Sequence, residues 1–491
     1  MTTTTGGFRN PVLPGFHPDP SVCRVGGDYY LVTSSFTYFP GVPIFRSPDL
    51  VTWTQLGNVL DRRAQLDLRR TSWLSQGVYA PTLRHHDGRF WLITTLVDDS
   101  GAHTFVVTAE DPAGAWSDPV PVDVAGIDPD LAWDDEGNCW VHTSSVGIEI
   151  LRHRVDPVTG AVLEGPVPTW SGIGMQYPEA PHLIRNGDTW YLLIAEGGTE
   201  RGHAVSIARG PSPAGPWEPC PANPIVSHRS TNRPVQSTGH ADLVEAADGS
   251  WWMVLLGVRL NGVTPGFHVL GRETFLAPVS WHEGWPVVAD LALEMPGPTG
   301  AFAPPARDDF DDDTVHPQWV SIRGAAEDRA TVDERPGWLT LHGGRATLDD
   351  PEPVFVCRRQ LHHWFRATAR VTGTAETGLA LFADHTAHYE VVLRAGRVVV
   401  RARIGPLSQI VADAPAAGED VVLVIETRPD RIAPDLVVLG YLRDGQRIEL
   451  AALDGRYLST EVTGGFVGRM VGVYATGGTG HADWFGYEEV E

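Results

Sequence analysis

Five hairpins built to one template run from Asp19 to Val254, and no other feature of the chain narrows its possible folds so far. Each opens on a short lead-in, Asp19-Pro-Ser-Val22, Ala80-Pro-Thr-Leu83, Asp128-Pro-Asp-Leu131, Ala180-Pro-His-Leu183 and His240-Ala-Asp-Leu243, the last with alanine where the others carry proline. Each then passes a glycine-containing turn, such as Gly26-Gly-Asp28 or Asp87-Gly-Arg89, as two-stranded hairpins require. Each returns in an aromatic-rich strand, from Tyr29-Tyr-Leu-Val32 in the first copy to Trp251-Trp-Met-Val254 in the fifth. A period of roughly 50–60 residues suits four-stranded blades with some long loops. A weaker echo in the later half of several copies ends in tryptophan, at Trp53, Trp116 and Trp217, and reads as turns whose indole packs between blades. A sandwich supplies strands but not five matched hairpins, so the spacing predicts an all-β, five-bladed β-propeller over residues 1–296.

In a propeller the first strand of each blade lines the central channel. The first lead-in residues then ring its mouth: Asp19, Ala80, Asp128, Ala180 and His240, with Glu179 one position before Ala180. Clustered carboxylates repel one another and raise at least one proton affinity, so a channel filled this way is costly and points to function. An Asp before proline is a common turn residue, and the weight of the inference rests on the shared position in the repeat.

Two carboxyl groups across a pocket are what glycoside hydrolysis needs, one to protonate the leaving oxygen and one to activate water or attack the anomeric carbon. Opposite sides of a channel mouth offer the wider separation, about 6.5–9.5 Å, that an inverting reaction uses. Glu179, in Tyr177-Pro-Glu-Ala-Pro-His182, sits among aromatic and prolyl groups that suit a general acid. Asp19, held between Pro18 and Pro20, suits a base that stays ionised, and Asp128 supplies a third charge to keep Glu179 protonated. Phe36, Phe39 and Tyr79 are the candidate sugar platforms near the mouth, where ring faces meet sugar C–H groups.

A net charge of −24 argues against nucleic acid and against polyanionic substrates, and a neutral substrate fits it. No run of about 18 apolar residues is present, so no membrane span is expected. The four cysteines, Cys23, Cys139, Cys220 and Cys357, are widely spread without a CxxC pair and read as buried free thiols. Met1-Thr-Thr-Thr-Thr-Gly-Gly lacks a basic start and apolar stretch, so the expected location is cytoplasmic. The stretch Met295-Pro-Gly-Pro-Thr-Gly-Ala-Phe-Ala-Pro-Pro305 marks a linker over 297–307. Residues 308–491 then show short strand-like runs, among them Tyr389–Leu393, Val398–Val400 and Val421–Ile425, that fit a two-sheet sandwich.

Asn10-Pro-Val-Leu-Pro-Gly-Phe-His-Pro-Asp-Pro-Ser-Val22 resembles the opening motif of glycoside hydrolase family 43. The likeness continues through Ser34–Ile44, Ile127–Leu131, Pro178–Leu183, Gly239–Leu243 and Gly271–Leu276, in order and spacing. It is closest to the β-xylosidase and α-L-arabinofuranosidase branches. The resemblance implies an inverting mechanism with Asp19 as general base, Asp128 as pKa modulator and Glu179 as general acid. It implies that His240 is a channel histidine near which members hold calcium or water, and that Arg272 contacts the sugar. Asp308-Asp-Phe-Asp311 and His481–Tyr487 resemble the concanavalin-like sandwich that follows many such propellers. In those relatives a sandwich loop helps close the pocket, and Gly464–Arg469, with Phe466, is the candidate here. One departure is Tyr79, where xylosidases commonly show tryptophan, and it leaves xylose and arabinofuranose both open. The implied activity is exo-acting release of one or other pentose from xylo-oligosaccharides or arabinoxylan fragments, with no required cofactor. An endo-arabinanase and a non-catalytic carbohydrate-binding propeller are the alternatives. Homo-oligomers are compatible with the sequence, which does not specify them.

Overall fold

Each repeated hairpin forms the inner half of a four-stranded antiparallel blade in the computed structural model, which describes residues 6–416, 418–431 and 434–490. Met1–Thr5, on which the reading of the N-terminus rests, lie outside the described residues. Blade I runs Ser21–Val25, Asp28–Val32, Gly41–Ser47 and Thr54–Leu60. The innermost strands of blades III, IV and V are Ile127–Trp133, Glu179–Asn186 and Val235–Glu245. In blade II the inner strand is split into Gly77–Val78 and Thr82–His86, both paired to Arg89–Asp98. The ring is closed by pairing of Gly7–Arg9 with Glu294–Pro296 and by Asn10, whose side chain bonds both the N–H and the carbonyl of Leu276.

The blade strands are apolar on both faces because each blade is covered on both sides. In Thr189–Glu196, Tyr191 and Leu193 pack with Val235 and Phe275 of blade V, whereas Leu192 and Ile194 pack with Ala132 and Ile150 of blade III. The period-2 alternation of a strand thus serves two interfaces at once. The echo tryptophans do lie between blades: Trp53 against Val244 and Leu276, Trp116 against Val32 and Ile44, and Trp217 against the cluster of Ala132 and Leu183.

The C-terminal region is a sandwich of two eight-stranded sheets around one apolar core. The predicted runs lie in the strands Ala387–Arg394, Arg397–Ile404 and Val421–Arg428. One sheet turns its outer face to the propeller, where Phe355, Phe382 and Tyr474 pack with Phe16, Phe36 and Tyr38. That sheet ends in a strand borrowed from blade I, Tyr38–Phe39, paired with Val320–Ile322. The 297–307 segment is docked as well, with Phe302 edge-on to His17 and Phe45. The sandwich is therefore packed against the propeller, not tethered to it. All four cysteines are free, and among the described residues no helix is long and apolar enough to cross a membrane.

Candidate active site

The repeat delivers its side chains to the channel through a shared backbone distortion. Asp19, Asp128, Ala180 and His240 occupy equivalent lead-in positions and all take positive φ, 56°, 53°, 52° and 46°. In blades III, IV and V the strand register slips at this point. Such bulges re-aim a side chain, and left-handed backbone is costly for residues other than glycine, so the strain marks the channel mouth as functional.

Asp19 is buried and held from several sides. Its Oδ1 accepts from Arg272 Nη1 at 2.8 Å, and its Oδ2 accepts from Ser34 Oγ at 2.5 Å. His240 Nδ1 lies 3.4 Å from Asp19 Oδ1. Burial opposes ionisation of Asp19, but the Arg272 guanidinium first, with the Ser34 hydroxyl, outweighs it and holds the carboxyl below the ordinary range. Asp128 is the opposite case. Burial first, then the charges of Glu179 and Asp19, hold its proton affinity well above the ordinary range. His240 is pushed down to about 3 by burial, so it faces Asp19 as a neutral imidazole and not as an ion-pair partner.

Arg272 follows Gly271, whose φ of 77° and lack of a side chain let the Gly468 backbone of the sandwich approach; a Cβ there would lie 2.9 Å from Gly468 Cα. The guanidinium is bonded to Thr199 Oγ1 at 3.1 Å and lies over the rings of Phe36 and Phe466, at 5.7 and 5.4 Å. Phe36, Tyr79 and Phe466 touch one another at centroid distances of 5.3, 5.8 and 6.2 Å. Burial, then Asp128, raise the Tyr79 phenol to about 12, which keeps it a hydrogen-bond donor. Phe466 is positioned from the propeller side by Ser75 Oγ, which accepts its backbone N–H at 2.8 Å.

These groups enclose one recess lined by Asp19, Phe36, Tyr79, Asp128, Glu179, Thr199, His240, Arg272 and Phe466. Glu179, Thr199, Arg272 and Phe466 also line a larger outer chamber of about 490 Å³ with Tyr177, Arg201, His268 and Glu461. Glu179 thus stands where the inner recess meets the outer chamber. Eight of the nine site residues read from the sequence converge here.

Phe39 does not. It is paired with the sandwich strand and lines a separate crevice with Trp319, Val320 and Val356, because the chain after Phe36 leaves the pocket to complete the neighbouring sheet. Sequence reasoning missed Ser34, Thr199 and His203. Ser34 lies within the Ser34–Ile44 motif without a distinguishing pattern. Thr199 and His203 lie on the turn between the second and third strands of blade IV, outside the repeated hairpin, where a search by period carries no signal.

His240 lines the recess with an imidazole, so a calcium ion beside it would take most of its oxygen ligands from water. Below His240 a second ring is drawn from all five blades: Ser21, Arg84, Asp130, His182 and Asp242. Arg84 Nη2 bonds Asp130 Oδ1 and Arg84 Nη1 bonds Asp242 Oδ2, each at 2.8 Å. Asp130 Oδ2 accepts from the Leu183 N–H, and Asp242 Oδ1 from the Leu243 N–H. Each oxygen of Asp19, Asp130 and Asp242 thus accepts at least one hydrogen bond from the protein. Among the described residues no three or more His, Cys, Asp or Glu side chains are grouped to hold a metal by themselves.

Residues 8–286 match the description "Glycosyl hydrolases family 43", and residues 307–488 match "Beta xylosidase C-terminal Concanavalin A-like domain". The chain is 38% identical to the non-reducing end alpha-L-arabinofuranosidase of Bacteroides ovatus, over 98% of this chain and 94% of the relative. It is 35% identical to the xylosidase/arabinosidase of Butyrivibrio fibrisolvens, over 95% of each chain. Among solved structures it superposes on a family 43 protein from Bacillus licheniformis with a TM-score of 0.91, at 30% identity, over 99% of this chain and 100% of the other. The xylan beta-1,4-xylosidase of Bacillus halodurans gives a TM-score of 0.89 at 30% identity, over 98% and 100%. A five-bladed propeller with carboxylates at its axis, a concanavalin-like sandwich packed on it and relatives matched over nearly the whole length agree: the chain belongs to glycosyl hydrolases family 43 and is a glycosidase.

Proposed function

We propose that the protein is an exo-acting, inverting glycosidase that releases xylose or L-arabinofuranose from xylo-oligosaccharides or arabinoxylan fragments. The observation that carries this reading is the recess itself, which has a carboxylate held ionised at Asp19, Glu179 at its outer edge and a sandwich loop, through Phe466, over one side. A pocket closed in this way accepts a chain end in preference to the middle of a chain. In the proposed reaction Asp19 takes a proton from a water that attacks the anomeric carbon. Glu179 gives its proton to the glycosidic oxygen as that bond breaks, and Asp128, electrostatically coupled to it, modulates its proton affinity. Arg272 and Thr199 meet the sugar hydroxyls, with Phe36, Tyr79 and Phe466 against its C–H faces. The names of the relatives, an arabinofuranosidase and a xylosidase/arabinosidase, support a pentoside substrate. Action on short imported oligosaccharides suits the expected cytoplasmic location.

Two measurements test the reading. NMR of the first-formed sugar is expected to show the anomer opposite to the substrate's, and retention overturns inversion. Rates on aryl β-xyloside and aryl α-L-arabinofuranoside decide the preferred sugar. A wild-type enzyme inert on all pentosides yet binding xylose would favour a non-catalytic sugar-binding propeller.

A further inference from the structure

His203 is a buried imidazole that the proposed chemistry does not use. It lies on the turn after Thr189–Glu196, with its side chain fully enclosed, 3.6 Å from the carboxyl of Glu179. Its Nδ1 faces the carbonyl of Ser237 in blade V at 3.2 Å. A carbonyl oxygen only accepts, so the hydrogen of the neutral ring belongs on Nδ1 and Nε2 carries a lone pair. That Nε2 is buried and has no hydrogen-bond partner within reach. The atom towards which it lies is Oε1 of Glu179. Such an orphaned buried acceptor is costly, and catalytic hydrogen bonds are often long in the empty enzyme and tighten on binding.

The ring is also fixed by shape. It lies against the backbone of Gly239, where an added Cβ would come within 2.3 Å of two ring atoms. The glycine before His240 is therefore the one residue that leaves room for the imidazole between blades IV and V. Blade V holds the ring through the Ser237 carbonyl and Gly239, and the ring in turn faces the carboxyl supplied by blade IV.

We propose that His203 is the positioning residue of the acid. Its Nε2 accepts a hydrogen bond from the protonated Glu179 carboxyl, Oε1–H to Nε2, and this contact fixes the carboxyl where inner recess and outer chamber meet. No proton is gained or lost by His203 over the cycle. When a glycosidic oxygen is in place, the Oε1–H turns from Nε2 to it, the bond to Nε2 is broken and that proton is delivered; the next proton to reach Glu179 is again held toward Nε2. The proposal rests on Glu179 being the acid.

The test compares His203→Phe, which keeps an aromatic ring over Gly239, with wild type and Glu179→Ala on two substrates of one pentose. One substrate is a dinitrophenyl glycoside, whose leaving group needs little protonation, and the other an unactivated disaccharide. His203→Phe is expected to lose at least about tenfold in kcat on the disaccharide, with KM near wild type and under about threefold loss on the aryl glycoside, since general acid catalysis is worth 10²–10⁴-fold. Equal losses on both substrates, or none on either, overturn the positioning role. If Glu179→Ala itself loses equally on both, the acid assignment fails and not this inference alone. Nitrogen-15 NMR of wild-type protein gives a reading that needs no variant: the proton is expected on Nδ1 of His203, and a proton found on Nε2 overturns the proposal.

Discussion

Asp19 and Arg272 lie 253 positions apart in the chain and meet at 2.8 Å in the channel mouth. Arg272 is the largest of the influences that oppose burial and keep Asp19 ionised. Removing it raises the proton affinity of Asp19. Arg272→Ala is therefore expected to move the acidic limb of kcat/KM to higher pH and to lower its plateau by about 10²-fold, the scale of one lost active-site donor. A pH profile with an activated aryl pentoside checks both, and an unmoved acidic limb separates Arg272 from Asp19.

Asp128 works against the fold. Its proton affinity is raised by burial, then by Glu179 and Asp19, so the folded state binds a proton more tightly than the unfolded chain. By linkage the associated cost is absent below the ordinary value of 3.8, grows as pH rises through the folded value and is complete above it. Asp128→Asn is expected to raise Tm at neutral pH by roughly 2 °C and to make no difference below about pH 3.8, while activity falls about 10²-fold or more. Thermal scans at two pH values with parallel rates check it; a lower Tm at neutral pH contradicts the account.

Arg84 is the cation of the lower channel. Arg84→Ala leaves Asp130 and Asp242 buried without their partner, and the expected loss is about 3–5 kcal/mol, the usual cost of breaking a buried pair. EDTA treatment of the wild-type protein, read by Tm and rate, tests the channel for a metal: both stay unchanged if the Arg84 network needs no ion. A fall in either that calcium restores shows that the channel holds a metal.

Phe466 is the sandwich's contribution to the aromatic wall, beside Phe36 and Tyr79 and under the Arg272 guanidinium. Phe466→Ala is expected to lower kcat/KM about tenfold, with most of the loss in KM, since one ring contact is worth about 0.5–1.5 kcal/mol. Steady-state kinetics on both aryl pentosides check it, and unchanged KM removes the ring from the sugar's surroundings.

The sequence by itself determined the propeller, because blades repeat and their repetition is written in the chain as matched hairpins. It also determined which carboxylates share the axis, since equivalent repeat positions occupy equivalent places around it. It pointed to Arg272 and Phe466 through resemblance, and to Phe36 and Tyr79 through their nearness to the motifs. Only the tertiary structure separated Phe36 from Phe39. The two rings are three residues apart, but Phe39 belongs to a sheet completed by Val320–Ile322, and such long-range pairing leaves no local pattern. His203 likewise reaches the site across a blade interface, against Gly239 and Ser237. Charge balance was also decided in three dimensions. Asp19 and Asp128 begin identical Asp-Pro lead-ins, yet Arg272 and Ser34 hold the proton affinity of one down while burial beside other carboxylates raises that of the other.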